Sequence, residues 1–169
     1  MRTVGILICT LLWASSVFCE ETHIYVSDAG NFQQPPWQIL KYDEDGGNPQ
    51  VFITENLAWP QDIVFLEASN TVLVSNLNSG KIERYHADTC EYIDTFARVI
   101  SGPTRMRIGK DNLLYVLQWN GSPRVRRYQL DGTFVDNFTA SGLSQSIGMD
   151  WDSNGNLYVA SFGQKLVRV

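Results

Sequence analysis

The side chains that could do chemistry in this sequence fall into two groups. Asp28, Asp62 and Asn76 could offer carboxylate and amide oxygens to a hard cation such as calcium, which favours such donors. Three residues so far apart in the chain are not a motif. The second group is aromatic: Phe32, Trp37, Trp59, Trp119 and Phe162 accompany the polar residues Gln61, Arg105 and Gln118. Rings beside polar groups are what a peptide or glycan groove uses, because rings give large contact area at little entropic cost. Which of these side chains can act together depends on the elements that carry them.

The chain has 169 residues, of which 44% are hydrophobic, 12% aromatic and 18% charged, the profile of one soluble globular domain. Its 13 Lys+Arg against 18 Asp+Glu give a net charge of -5, and no window concentrates basic residues, so nucleic acid is not an expected partner. Residues 1–19 read as a secretory signal peptide, with Arg2 as the positive start, Val4 to Trp13 as the apolar core, and Val17 and Cys19 at the cleavage positions. The apolar run is shorter than the roughly 20 residues of a membrane-spanning helix, so no membrane span is expected. A lipid anchor through Cys19 is disfavoured by bulky Phe18 before it. The expected location is therefore secreted or extracytoplasmic.

Cleavage after Cys19 leaves Cys90 alone, so no internal disulfide can form and core packing must hold the fold. Asn120-Gly121-Ser122 and Asn137-Phe138-Thr139 are glycosylation sequons, with meaning in a eukaryotic host.

A period runs through the rest. Lys41-Tyr42, Arg84-Tyr85 and Arg127-Tyr128 recur about 43 residues apart, as do Leu73-Val74, Tyr115-Val116 and Tyr158-Val159. Tyr25-Val26 extends the second series with a longer interval, made by the insertion Asn31 to Trp37. A third series aligns Pro60-Gln61-Asp62-Ile63, Pro103-Thr104-Arg105-Met106 and Ser146-Ile147-Gly148-Met149. Within one period the elements are short and β-like: Ile63 to Leu66, Val72 to Ser75, Ile82 to Tyr85 and Tyr92 to Phe96, separated by turn residues. Four short strands per repeat of this length predict an all-β fold, a β-propeller built of four-stranded blades.

The stretch from Ser146 to Ser161, SIGMDWDSNGNLYVAS, resembles an NHL repeat, and looser copies cover the rest of the chain after the signal. Blade two departs at His86-Ala87-Asp88-Thr89, where the usual Gly of the outer turn is missing. The resemblance implies a six-bladed ring, and at fold level a kinship with streptogramin lyases, gluconolactonase-like hydrolases and peptidyl-amidating lyases. Those enzymes place a divalent metal on the axis. Binding modules use the same fold.

With strands lettered A to D from the axis outward, the sequence supplies B, C and D of a first blade, two complete blades, and A, B and most of C of a fourth. About 3.5 blades are thus expected, part of a six-bladed ring, with residues 20–169 forming a propeller truncated at its C-terminus. The alternative is a chain that pairs with another copy, and Val167-Arg168-Val169 would then expose an apolar edge open to self-association.

Loops B-to-C and D-to-A emerge on one face. They would gather Asp28, Asn76, Gln118 and Ser161 with Gln61, Asp62, Thr104, Arg105, Ser146 and Gly148, and would carry Phe32, Trp37, Trp59, Trp119 and Phe162. Trp151 reads as blade core. Asp62, Arg105, Arg107 and Asp150 would neighbour one another near the axis, either as ion pairs or as a ligand site. His23 and His86 fall at the opposite face, no Glu occupies a site-face position, and Cys90 lies in an outer turn, so no catalytic residue is assigned. No cofactor is expected beyond the calcium that Asp28, Asn76 and Asp62 could hold. The reading is an exported binding module for a protein, peptide or glycan ligand; the alternative is a metal-dependent lyase or lactonase with ligands partly outside the chain.

Overall fold

The computed structural model describes residues 22–31, 33–140 and 142–168, so the expected signal peptide and Phe32 lie outside the described residues. Fourteen strands form four separate antiparallel sheets. The first holds β1 (His23–Asp28), β2 (Gln38–Asp43) and β3 (Gln50–Ile53). The second holds β4 (Pro60–Leu66), β5 (Thr71–Asn76), β6 (Lys81–His86) and β7 (Tyr92–Ala97), and the third β8 (Pro103–Ile108), β9 (Leu114–Gln118), β10 (Val125–Tyr128) and β11 (Phe134–Asn137). The fourth holds β12 (Ser146–Trp151), β13 (Leu157–Ser161) and β14 (Leu166–Arg168). Among the described residues the one helical element is a single 3-10 turn at Glu67–Ser69, and no helix is long and apolar enough to cross a membrane.

This is the predicted propeller, with an inner strand lacking from the first sheet and an outer one from the fourth. Strands extend slightly beyond the sequence reading. The inner strand of the second blade begins at Pro60 rather than Ile63, because Pro60 already faces Asn76 and the register then shifts before Asp62 faces Ser75. The same irregularity opens the inner strands of the third and fourth blades, between Pro103 and Met106 and between Ser146 and Gly148. An extra residue at such a bulge bends the strand and re-aims its side chains.

The middle blades explain the continuous apolar runs in the sequence. Side chains of a strand alternate between its two faces. Val72 and Val74 accordingly pack with Ile39, Phe52, Ile53 and Tyr85 between blades one and two, while Leu73 joins Ile82, Met106, Leu114 and Val116 between blades two and three. In the third blade Tyr115 and Leu117 turn toward Val125, Met149, Leu157 and Val159. Strands covered on both faces need apolar residues at every position. Each of these branched side chains, once fully buried, contributes roughly 1.5–3 kcal/mol.

The outer turns show why blade two lacks its glycine. Asp43 N–H bonds Gly47 O, Gln129 N–H bonds Thr133 O and His86 N–H bonds Glu91 O, so the three turns close alike. The residue before each acceptor is left-handed: Gly46 at φ 80, Gly132 at φ 100, and Cys90 at φ 62. Gly132 has no substitute, since a Cβ there would lie 2.4 Å from Phe96 O. Cys90 occupies the matching position with a side chain, packed against the cluster of the first two blades.

Beyond the turns, Arg84 forks onto Asp94 and Arg127 onto Asp136, each pair directly opposite across strands C and D. That is the physical content of the repeated Arg-Tyr. Two parallel bonds to one carboxylate hold a cross-strand pair in one geometry.

Met106 is fully buried between two complete blades, whereas Met149 belongs to a blade covered on one face. Met106→Ala should therefore cost about 2–5 kcal/mol in urea unfolding, and Met149→Ala less, because the half-covered blade can collapse into the space.

Candidate functional site

The loops that join B to C and D to A are tied together, blade by blade. Leu77 N–H donates to Trp59 O at 3.2 Å, Trp119 N–H to Gly102 O at 2.8 Å and Phe162 N–H to Gln145 O at 3.1 Å. The accepting residues recur with the repeat, and all three are left-handed: Trp59 at φ 55, Gly102 at φ 65 and Gln145 at φ 48. These bonds put both loop sets at one end of the sheets, as the sequence reading required. They also place a tryptophan where glycine is the relaxed choice, at a cost of roughly 1–2 kcal/mol for an L-residue.

Of the aromatic candidates, two meet. Trp119 and Phe162, from adjacent blades, stack with ring centroids 6.4 Å apart and planes at 22°, and Phe162 is 66% exposed. Trp37, half-buried, donates its indole N–H to Asn31 O at 2.9 Å and is thereby held against its own insertion loop. Gln61 turns its amide back on Trp59 O and Pro60 O. Gln118 is buried within β9, beneath the loop face. Asn120 and Asn137, the two sequon asparagines, are both exposed.

Arg105 stands apart from the rings. It reaches the Ile147 carbonyl through Nε and Asp62 through Nη1, while Arg107 also bonds Asp62 and the Met106 carbonyl. Asp62 further accepts from Met106 N–H at 2.7 Å. One carboxylate, 12% exposed, thus serves two guanidiniums that are 42% and 39% exposed. The charged group near the axis is an ion-pair network centred on Asp62, and Asp150 spends one oxygen on the backbone of Trp151. Arg105, Asp62 and Gln61 also line a cavity of about 530 Å³ beside Tyr25, Ser27 and Phe65, on the side of β1 where an inner strand is lacking.

The oxygen donors proposed for calcium have other partners. Asp28 accepts from Gly30 N–H and the Gln38 amide, Asn76 Oδ1 caps Ala58 N–H at 2.8 Å, and Asp62 is paired as above. Asn76 is fully buried. Among the described residues no three His, Cys, Asp or Glu side chains converge as a ligand set. These donors hold loops and strands, and they fit a metal poorly, because a cation would have to displace both their backbone donors and two arginines. Cys90 is equally unsuited to nucleophilic work, since burial pushes its thiol up and lowers the thiolate fraction.

A feature that the sequence reading did not anticipate lies at the other end of the strands. Trp151 does not simply fill the blade. It meets Tyr115 edge-on at 5.0 Å and 90°, with Phe138 at 5.1 Å from Tyr115, and the three rings line a cleft of about 280 Å³ with Lys110, Asp111 and Gly155. Burial raises the Tyr115 phenol, which donates to Asp111 at 2.8 Å. The spacing of Tyr115, Phe138 and Trp151 carries no periodic signal that would group them.

No protein-family model and no curated protein matches the sequence. Solved structures do. A chain of the nidogen/laminin complex is 19% identical, with a TM-score of 0.69, over 82% of this chain and 52% of its own. A structural-genomics protein described as a gluconolactonase gives 18% and 0.59 over 75% of this chain and 43% of its own, and a gluconolactonase of Xanthomonas campestris gives 17% and 0.59 over 76% and 43%. Likeness at such identities establishes the β-propeller fold and nothing finer. The chain spans about half the length of the structures it resembles.

The left-handed corner can be separated from the ring it carries. Trp59→Gly and Trp59→Val both remove the indole, but only valine keeps the backbone cost, so the glycine variant should be the more stable by about 1–2 kcal/mol in urea unfolding. Equal stabilities would show that the corner is not strained.

Proposed function

We propose that the protein is an exported β-propeller binding module that takes a peptide or glycan on its B-to-C and D-to-A loop face. The observation that carries this reading is the Trp119 and Phe162 stack, in which a ring with 66% exposure is held flat against a neighbour from the next blade. An exposed ring kept in one orientation loses little entropy when a ligand covers it. Trp59 adds to the reading, because a left-handed corner that glycine would relax carries the largest side chain instead. Trp37 completes the set on a loop that lengthens the first repeat, and loops that grow around a rigid scaffold commonly carry function. Arg105 and Gln61 belong to the inner strands and border the face, where they position the strand ends.

The likeness to a chain of the nidogen/laminin complex is compatible with a protein partner, and the likeness to gluconolactonases with the second reading, a metal-dependent lyase or lactonase. The occupied oxygens of Asp28, Asn76 and Asp62 favour the binding module. In this reading the protein is secreted or extracytoplasmic, and the outer edge of β14 is where a second copy could add a strand.

Binding to arrayed glycans and to a displayed peptide library, measured for the parent and for the Trp37→Ala/Trp119→Ala double variant, tests the proposal. Ligands captured by the parent should lose at least about tenfold in affinity, near 1.4 kcal/mol, with the unfolding midpoint retained. Asp28→Ala should leave that binding in place. Turnover of a lactone that depends on Asp28, with the tryptophans dispensable, would overturn it.

A further inference from the structure

The cleft between the third and fourth blades is a second recognition site, separate from the loop face. Its floor is Tyr115, Phe138 and Trp151, and its rim is made by the loops after β8 and β12, which Lys110 bridges by donating to Ser153 O at 3.4 Å. The polar groups behind the floor already have partners. Arg127 lies 5.1 Å from the Phe138 ring centroid and 5.8 Å from that of Tyr115, forked onto Asp136, and Asp111 takes Leu113 N–H and the Tyr115 hydroxyl.

One donor has none. The indole Nε1 of Trp151 is buried and makes no hydrogen bond. Leaving a buried N–H unmade costs on the order of 1–3 kcal/mol, so a ligand that brings an acceptor to it recovers what folding leaves unspent.

The charges choose among ligand classes. A carboxylate or phosphate entering the cleft would meet the Asp111 carboxylate, and an ammonium would meet Lys110 with Arg127 behind the rings. A hydrocarbon or phenyl side chain would satisfy the rings and leave the Trp151 N–H unpaired. A neutral ring bearing hydroxyls satisfies both signs at once: its C–H face lies on aromatic surface, its oxygens accept from indole and ammonium, and its hydroxyl protons go to a carboxylate. At about 280 Å³ the cleft has room for one such ring and too little for a longer chain. We infer that this cleft binds a neutral pyranose sugar against Phe138 and Trp151, with its hydroxyls shared among Trp151 Nε1, Lys110 and Asp111.

The test uses the indole N–H resonances of the nitrogen-15-labelled full chain during titration with D-glucose, D-galactose and N-acetyl-D-glucosamine, each taken to tens of millimolar. The Trp151 resonance is identified by its loss in Trp151→Phe. It should move and saturate with at least one sugar, while the Trp119 resonance, at the loop face, stays in place. Trp151→Phe keeps an aromatic floor and removes the donor, so backbone amides around Lys110 and Gly155 should report about tenfold weaker binding. Lys110→Ala, at an exposed position, should weaken binding about threefold or more, and it stands as the test if Trp151→Phe does not fold. A Trp151 resonance that ignores all three sugars overturns the inference, as does undiminished binding in both variants. Movement of Trp119 alone would overturn it too, while favouring the loop-face reading.

Discussion

Each blade enters its inner strand through a left-handed corner, and the rest of the structure depends on that corner. Its carbonyl must point back to receive an amide from the loop at the far end of the adjacent strand, as Trp59, Gly102 and Gln145 do for Leu77, Trp119 and Phe162. Without the turn, the bulged start of the inner strand and the loop above it would both leave backbone groups unpaired. The corner also sets the spacing between blades. Ser27 Oγ donates to Pro60 O and Thr104 Oγ1 to Ser146 O, and each acceptor lies just beyond a corner. Apolar burial drives the sheets together, and these short polar bonds fix how far each is rotated from the next.

Asp62 does for the inner strands what the corners do for the loops. Its two oxygens engage Arg105, Arg107 and the Met106 amide, so a carboxylate on one blade grips both main chain and side chains of the next. Removing a largely buried carboxylate of this kind leaves two cations without a partner, which costs more than the pair itself contributes. This arrangement also explains why the axis offers little to a metal here. The residue types are those of a cation site, yet the positive charge they need is already supplied by the chain.

Much of this was legible in the sequence because it repeats. The period gave the number of blades, their strand order and which loops share a face, since hydrogen bonding and packing impose the same spacing each time. Periodicity says little about what differs between copies. Trp59 and Gln145 are left-handed without a glycine to announce it, and Gln118 sits in a polar position of the pattern but is buried under its loop. Trp151 matched the alternation of an inner strand and was read as core. Its role in the cleft depends on Tyr115 from a neighbouring blade and on Phe138 from the end of an outer strand, contacts that no single repeat contains.

Both recognition surfaces fall at the junction of the third and fourth blades, and this has a physical reason. A ring held in one orientation needs a second ring or a packed wall from another element, and two adjacent blades provide both. The third blade is covered on both faces, so Tyr115, Leu117 and Val125 give a rigid base from which Trp119 and Phe138 project. The fourth contributes the answering rings, Phe162 at one end and Trp151 at the other. The first blade faces the opposite situation: Ile24, Val26 and Val51 leave its far face apolar and exposed, as Tyr158 and Val167 do on the fourth. Interior blades cover such faces with a neighbour of alternating apolar residues, and the same complement is what these outer faces fit. Stability of the assembly therefore turns on what covers its two ends, whereas the chemistry of the two candidate sites is set within the junction between blades three and four.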